Sequence, residues 1–138
     1  MIFIFTIPGE PVGKGRPRFT KAGRVYTPDK TAAYEELVRR CFKEQCEVPD
    51  EPLTGPVSIY VQAEFANPKR ATKAQREAML ADRVQPMKKP DADNILKIVT
   101  DPLNGLLWRD DCQITDARVS KFFNNAPRVI VEIDIGEA

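Results

Sequence analysis

Five aspartates fall within the 26 residues from Lys88 to Gln113, KKPDADNILKIVTDPLNGLLWRDDCQ. Asp91 and Asp93 bracket one alanine, and Asp110 and Asp111 stand side by side just after Trp108 and Arg109. Carboxylates packed near one another repel and resist ionisation unless a cation joins them. A hard divalent ion such as Mg²⁺ binds through a few carboxylates and keeps several waters. Two aspartates at a helix start, plus one from a neighbouring strand end, would suit it. Lys97, about 6 Å along a helix from Asp93, would set an ammonium beside any anion bound there.

Simpler roles compete for the same residues. Asp91 follows Pro90 and could cap a helix beginning at Ala92. Asp93 lies in the first turn, where the helix macrodipole favours negative charge. Lys97 is four residues after Asp93, the better order for an ion pair along a helix. Asp110-Asp111 could be a turn. Yet capping needs one carboxylate, not two at i and i+2 with a third nearby. Trp108 also suggests that the second pair ends a packed segment.

Several chemistries are excluded. The chain has no histidine, so Ser-His-Asp and Cys-His catalysis and every His-ligated metal are ruled out. A calcium loop starting at Asp91 would need Gly at 96 and Glu at 102, where Leu96 and Pro102 stand. A phosphatase of the Asp-x-Asp type would want an apolar strand before the pair, but QPMKKP precedes it. There is no P-loop. Cys41, Cys46 and Cys112 are odd in number, which favours reduced thiols. Acid, base or metal work is left to Asp, Glu and Lys.

Charge is separated along the chain rather than absent. The net charge is only +1, yet Pro11 to Pro28 carries Lys14, Arg16, Arg18, Lys21 and Arg24 with no acid among them. Such a run suits a phosphate backbone. Phe19 sits inside it and reads equally as a core plug or as a wedge against bases. Lys88 and Lys89 are further basic candidates beside the aspartates.

These residues must be positioned by a modest scaffold. A length of 138 residues with 42% apolar and 30% charged content fits one globular domain. No apolar run approaches the ~20 residues of a membrane span. The opening MIFIFTIPGEP lacks a basic leader and reads as a first strand, Ile2–Ile7, rather than a signal peptide. Pro8–Tyr26 is a Gly- and Pro-rich loop or irregular hairpin. Thr27 as cap and Pro28 as first helical residue open a helix to about Gln45. Tyr34, Leu37, Val38, Cys41 and Phe42 form its apolar side. Val57–Phe65 alternates as a half-buried strand, and Thr72 caps a short exposed helix, KAQREAMLA.

A helix follows from Asp91 to about Thr100, then strands Gln113–Phe123 and Arg128–Ile135, joined by NNAP and expected to form an antiparallel hairpin. The sum is a small single α/β (α+β) domain over residues 1–138. Its sheet is mixed and mostly antiparallel, with helices packed on it.

With these residues in place, Lys88–Ile114 resembles the signature of RusA-type Holliday junction resolvases, the crossover junction endodeoxyribonucleases. Their pattern runs Pro/Arg-Asp-x-Asp-Asn-x-x-Lys, then an Asp eight beyond the second aspartate, then Asp-Asp-x-Gln. It falls here on Asp91, Asp93, Asn94, Lys97, Asp101, Asp110, Asp111 and Gln113. The KGRPRF loop after the first strand is similar too.

The resemblance implies that Asp91, Asp93 and Asp111 are metal-binding catalytic carboxylates and that Lys97 is the essential lysine beside them. It implies a homodimer that nicks two opposing strands of a four-way DNA junction, with Mg²⁺ (Mn²⁺ as a substitute) and no organic cofactor. Lys14, Arg16, Arg18, Phe19, Lys21, Arg24, Lys88 and Lys89 are then the DNA contacts. A cytoplasmic, nucleoid-associated place and a phage or prophage source are the expectation. Flaps, forks, or junction binding without catalysis remain alternatives. One departure is Pro102. A proline inside a helix costs about 3 kcal/mol, so a kink or break is expected near Thr100, with Asp101 capping any restart. That leaves Asp110 or Asp111 open as third ligand.

Overall fold

The alternation in Val57–Ala66 (β4) sets the layout of the molecule, whose computed structural model describes residues 1–138. Val57, Ile59, Val61, Ala63 and Phe65 are all buried on one face of a sheet. β4 pairs antiparallel with Arg128–Ile135 (β6), which pairs antiparallel with Ile2–Pro8 (β1). On its other side β4 runs parallel to Ile114–Asn124 (β5), giving the order β1-β6-β4-β5. The sheet is therefore mixed, with two antiparallel pairings and one parallel.

Two helices cover the buried face. Asp29–Gln45 (α1) presents Tyr34, Val38, Cys41 and Phe42 to the core, and Ala92–Leu103 (α3) presents Ile95, Ile98, Val99 and Leu103. Phe42 meets Phe3 and Phe5 of β1 at ring-centroid distances of 5.9 and 5.6 Å. Lys73–Leu80 (α2) is capped by Thr72, whose hydroxyl accepts the Gln75 N–H, and buries no residue. Arg18–Phe19 (β2) and Val25–Tyr26 (β3) pair as a small hairpin within the long basic loop. No helix is long and apolar enough to cross a membrane.

Three expectations are corrected. The last two strands do not form a hairpin, because β4 lies between them. β4 is hydrogen-bonded along its length to β6 on one side and to β5 on the other. β5, exposed from Thr115 to Arg118, suits an edge. The first helix starts at Asp29 with Pro28 as cap residue and no side-chain cap bond, so Thr27 does not cap it. Nor does α3 break near Thr100. It runs to Leu103 through Pro102, which sits in the last turn and is buried. The ring removes one intrahelical bond, that to the Ile98 carbonyl, but the helix closes again beyond it. The Asn104 N–H still reaches the Thr100 carbonyl, and Arg39 Nε donates to the Pro102 carbonyl at 3.3 Å.

The parallel β4–β5 pair requires a crossover, and α2 and α3 supply it. α3 thus returns against the strand direction, and its first turn lies toward the carboxyl ends of β4 and β5. That is where open α/β sheets commonly place ligands.

Candidate functional site

Asp91 and Asp93 open α3, and both are exposed. Asp91 occupies the cap position, but its side chain makes no cap hydrogen bond. The carboxylate is free, so capping does not account for it. Lys97 is exposed one turn further on, and no ion pair joins it to Asp93 or Asp101. The ion-pair role that competed for Lys97 is therefore also unfilled.

The basic loop folds over this helix start. Its backbone is tied down on both sides: the Lys14 N–H donates to the Asn94 carbonyl at 3.0 Å, and the Gly15 N–H to Thr31 Oγ1 at 3.0 Å. Glycine is needed for this approach. A Cβ at Gly13 would lie 2.6 Å from Pro90 Cβ, and one at Gly15 would lie 2.7 Å from Thr31 Oγ1. The result is a groove of about 950 Å³ walled by Lys14, Arg16, Arg18, Lys30 and Lys89, in which Asp91 is the one acidic residue. Lys30 lies in the first turn of α1, just past the basic Pro11–Pro28 segment. Adjacency to that segment is its only signal in the sequence.

Lys14 has a different place from its neighbours. Its ammonium lies 3.1 Å from Glu35 Oε1 and 3.0 Å from Asp101 Oδ2, and all three side chains are largely shielded. Burial opposes its charge, but hydrogen bonds and attraction from Asp101 and Glu35 prevail and raise its pKa above the usual lysine value. It pins the loop to α1 and α3 and is not free for a phosphate. Arg16 and Arg18 have no such partners. Phe19 is 71% exposed on the hairpin, so it is no core plug. Lys21 and Arg24 are exposed in the same hairpin region. Lys88 lies over the Phe65 ring, 5.4 Å from its centroid.

Asp111 is held elsewhere. Trp108, fully buried, donates its indole N–H to Asp111 Oδ1 at 2.8 Å. Trp108 also bridges Asn104 and Leu53 beyond the C-terminal end of α3. α3 is about 18 Å long, and Asp91 and Asp111 belong to opposite ends of it. Gln113 braces the turn, donating to the Leu53 and Gly55 carbonyls at 2.9 Å and accepting the Asp110 N–H at 2.8 Å. Accordingly, no three Asp, Glu or Cys side chains stand together as a ready-made metal cage in one chain. Asp91 and Asp93 nevertheless offer free hard oxygens. Mg²⁺ needs only one or two protein carboxylates when water and phosphate complete its shell, so the donor set fits that ion.

A family model described as Endodeoxyribonuclease RusA matches residues 8–134. A protein of Bacillus subtilis (strain 168), named only as uncharacterized protein YqaN, is 37% identical over 134 residues, covering 94% of this chain and 93% of that one.

Proposed function

Because the chain belongs to the RusA endodeoxyribonuclease family, we propose that it is a Mg²⁺-dependent homodimeric nuclease that resolves four-way DNA junctions by paired, symmetric nicks. The observation that carries this reading is the groove: basic walls around one free carboxylate at a helix N-terminus. Basic walls suit a phosphate backbone. A single acid within them would be a liability unless it met a cation there.

Asp91 and Asp93 would hold the ion. When bound, Mg²⁺ supplies a water ionised near neutral pH and charge neutralisation on the phosphate oxygens. The chain's own groups do the rest. Arg16, Arg18, Lys30 and Lys89 hold the strand by its phosphates. The first N–H groups of α3, which no side chain caps, point at the anion. Lys97 meets the charge that grows on the phosphate and on the departing 3′ oxygen. Water adds to phosphorus in line as the P–O3′ bond breaks, leaving 5′-phosphate and 3′-hydroxyl ends. Phe19, exposed beside the groove, would stack at the branch point. Asp111 enters through the dimer. Within one chain it belongs to the far end of α3, so the second copy that paired nicking requires is also what would bring a third carboxylate to the pair.

The test is a labelled four-way junction beside matched flap, fork and linear duplexes, with Mg²⁺, Mn²⁺ or EDTA. Paired, metal-dependent nicks in the junction alone are expected. Equal cutting of flaps or forks would replace junction resolution with general branched-DNA cleavage. Tight junction binding with no nick under any ion would defeat the nuclease reading.

A further inference from the structure

We propose that Lys121 is a positioning residue for the Asp91–Asp93 pair; this rests on the reading of that pair as the catalytic carboxylates. Lys121 lies on β5, opposite Ala63 of β4 and on the helix-covered side of the sheet. Its ammonium donates to two backbone carbonyls, those of Lys88 and Pro90, the latter at 3.0 Å. Those carbonyls belong to the segment that leads directly into Asp91.

That segment has little else to hold it. The Arg83 N–H bonds the Ala78 carbonyl, and from Val84 to Pro90 no backbone group joins another by a hydrogen bond. Pro86 and Pro90 have no N–H to give. Pro86 is buried and Pro90 packs on Gly13, but the hydrogen bonds reaching this backbone come from Lys121 alone.

The lysine is itself fixed. Its ammonium stands 5.2 Å from the centroid of the buried Phe65 ring, an attraction that restrains a cation. No carboxylate pairs with it, so no surface ion pair competes for its donors. An ammonium has three N–H groups, and two of them clamp the entry to α3. The free carboxylate of Asp91 makes no cap bond of its own, so its place depends on the backbone before it. Lys121 provides that restraint from the parallel strand, far away in the chain. Its chemistry is that of an oriented donor: a methionine of similar length would keep the stem against Phe65 and lose both bonds.

The experiment compares wild type with Lys121→Met, Lys121→Gln and Lys121→Arg. Lys121→Met is expected to lower kcat for junction nicking about tenfold or more, since displacing a reacting group by a full ångström can cost about a hundredfold. Junction Kd in EDTA should stay within about twofold. The Ile95 N–H, which bonds the Asp91 carbonyl in the first turn of α3, should exchange with solvent about tenfold faster, while Val131 in the central sheet is unchanged. Lys121→Arg, which keeps donors and charge, should recover most of kcat and of the Ile95 protection. Wild-type kcat and Ile95 exchange in both neutral variants would overturn the proposal. So would loss of junction affinity with unchanged exchange, which would make Lys121 a DNA contact. If wild type nicks no branched DNA at all, the nuclease reading falls, and Ile95 exchange in Lys121→Met alone decides whether the clamp exists.

Discussion

Replacing Arg16 and Arg18 together by glutamine should remove about half of the groove's share of the salt dependence of junction binding. Four basic residues of the groove, Arg16, Arg18, Lys30 and Lys89, have no carboxylate partner. If each neutralises one phosphate, the groove contributes a slope of log K against log salt of about −3.6 per protomer, at about −0.9 per contact. Removing two contacts leaves about −1.8. At about 0.1 M salt each contact is worth ~0.9 log units, so the double variant should lose roughly 60-fold in affinity per protomer, about 2.5 kcal/mol, and roughly 4,000-fold, about 5 kcal/mol, for a dimer that carries both substitutions in each copy.

The assay is fluorescence anisotropy of a labelled junction in EDTA across a salt series. Lys14→Gln is the internal control. It lies in the same groove and carries the same formal charge, but its ammonium already serves Glu35 and Asp101. Its slope should match wild type. A double arginine variant with the wild-type slope would refute this reasoning. So would a Lys14→Gln protein whose slope falls as far as that of a single arginine variant.

Asp93→Asn should abolish nicking while junction affinity in EDTA stays near wild type, and Asp111→Asn should do the same. Mixing the two inactive proteins should restore nicking if the third carboxylate comes from the second copy, and the absence of any restoration refutes that assembly. Lys14→Met leaves Glu35 and Asp101 facing each other and should cost about 2 kcal/mol. For a chain of 138 residues that is about 7 °C in Tm. The folded-state pKa of Lys14 is raised above 10.5, so its contribution is complete below that pH and lost only as pH rises through the raised value. The Tm difference should therefore be the same at about pH 6 and pH 9, and a difference that shrinks over that interval contradicts the pairing. Tyr34→Phe should raise Tm by about 3 °C, because the Tyr34 hydroxyl is buried with no partner and such a group costs about 1 kcal/mol or more. A fall in Tm would mean that the hydroxyl is bonded after all.

Local pattern carried much of the fold. The alternation in β4, the apolar side of α1 and the Thr72 cap could each be read because every one is complete within a few consecutive residues. Strand order could not. NNAP between two strand-like runs looks like a hairpin connection, and only the pairing of β4 with both runs, set by contacts far apart in the chain, pulls them apart. Pro102 misled for a related reason. A helical proline past the first turn loses its bond to the carbonyl four residues before it, and the packing that holds α3 together to Leu103 against that cost comes from elsewhere in the chain.

The site shows the same boundary more sharply. Asp91, Asp93 and Lys97 could be picked out together because one helix sets their spacing. The meaning of each lysine could not, because a lysine is defined by what its ammonium meets. Lys14 looked like one more basic residue of the loop, yet it is held between Glu35 and Asp101. Lys121 drew no notice on an edge strand, yet it grips the backbone before Asp91. Lys97 looked like half of an ion pair and has none. The one lysine left both unpaired and a single turn from the free carboxylates is Lys97, and that vacancy is what a phosphate would fill.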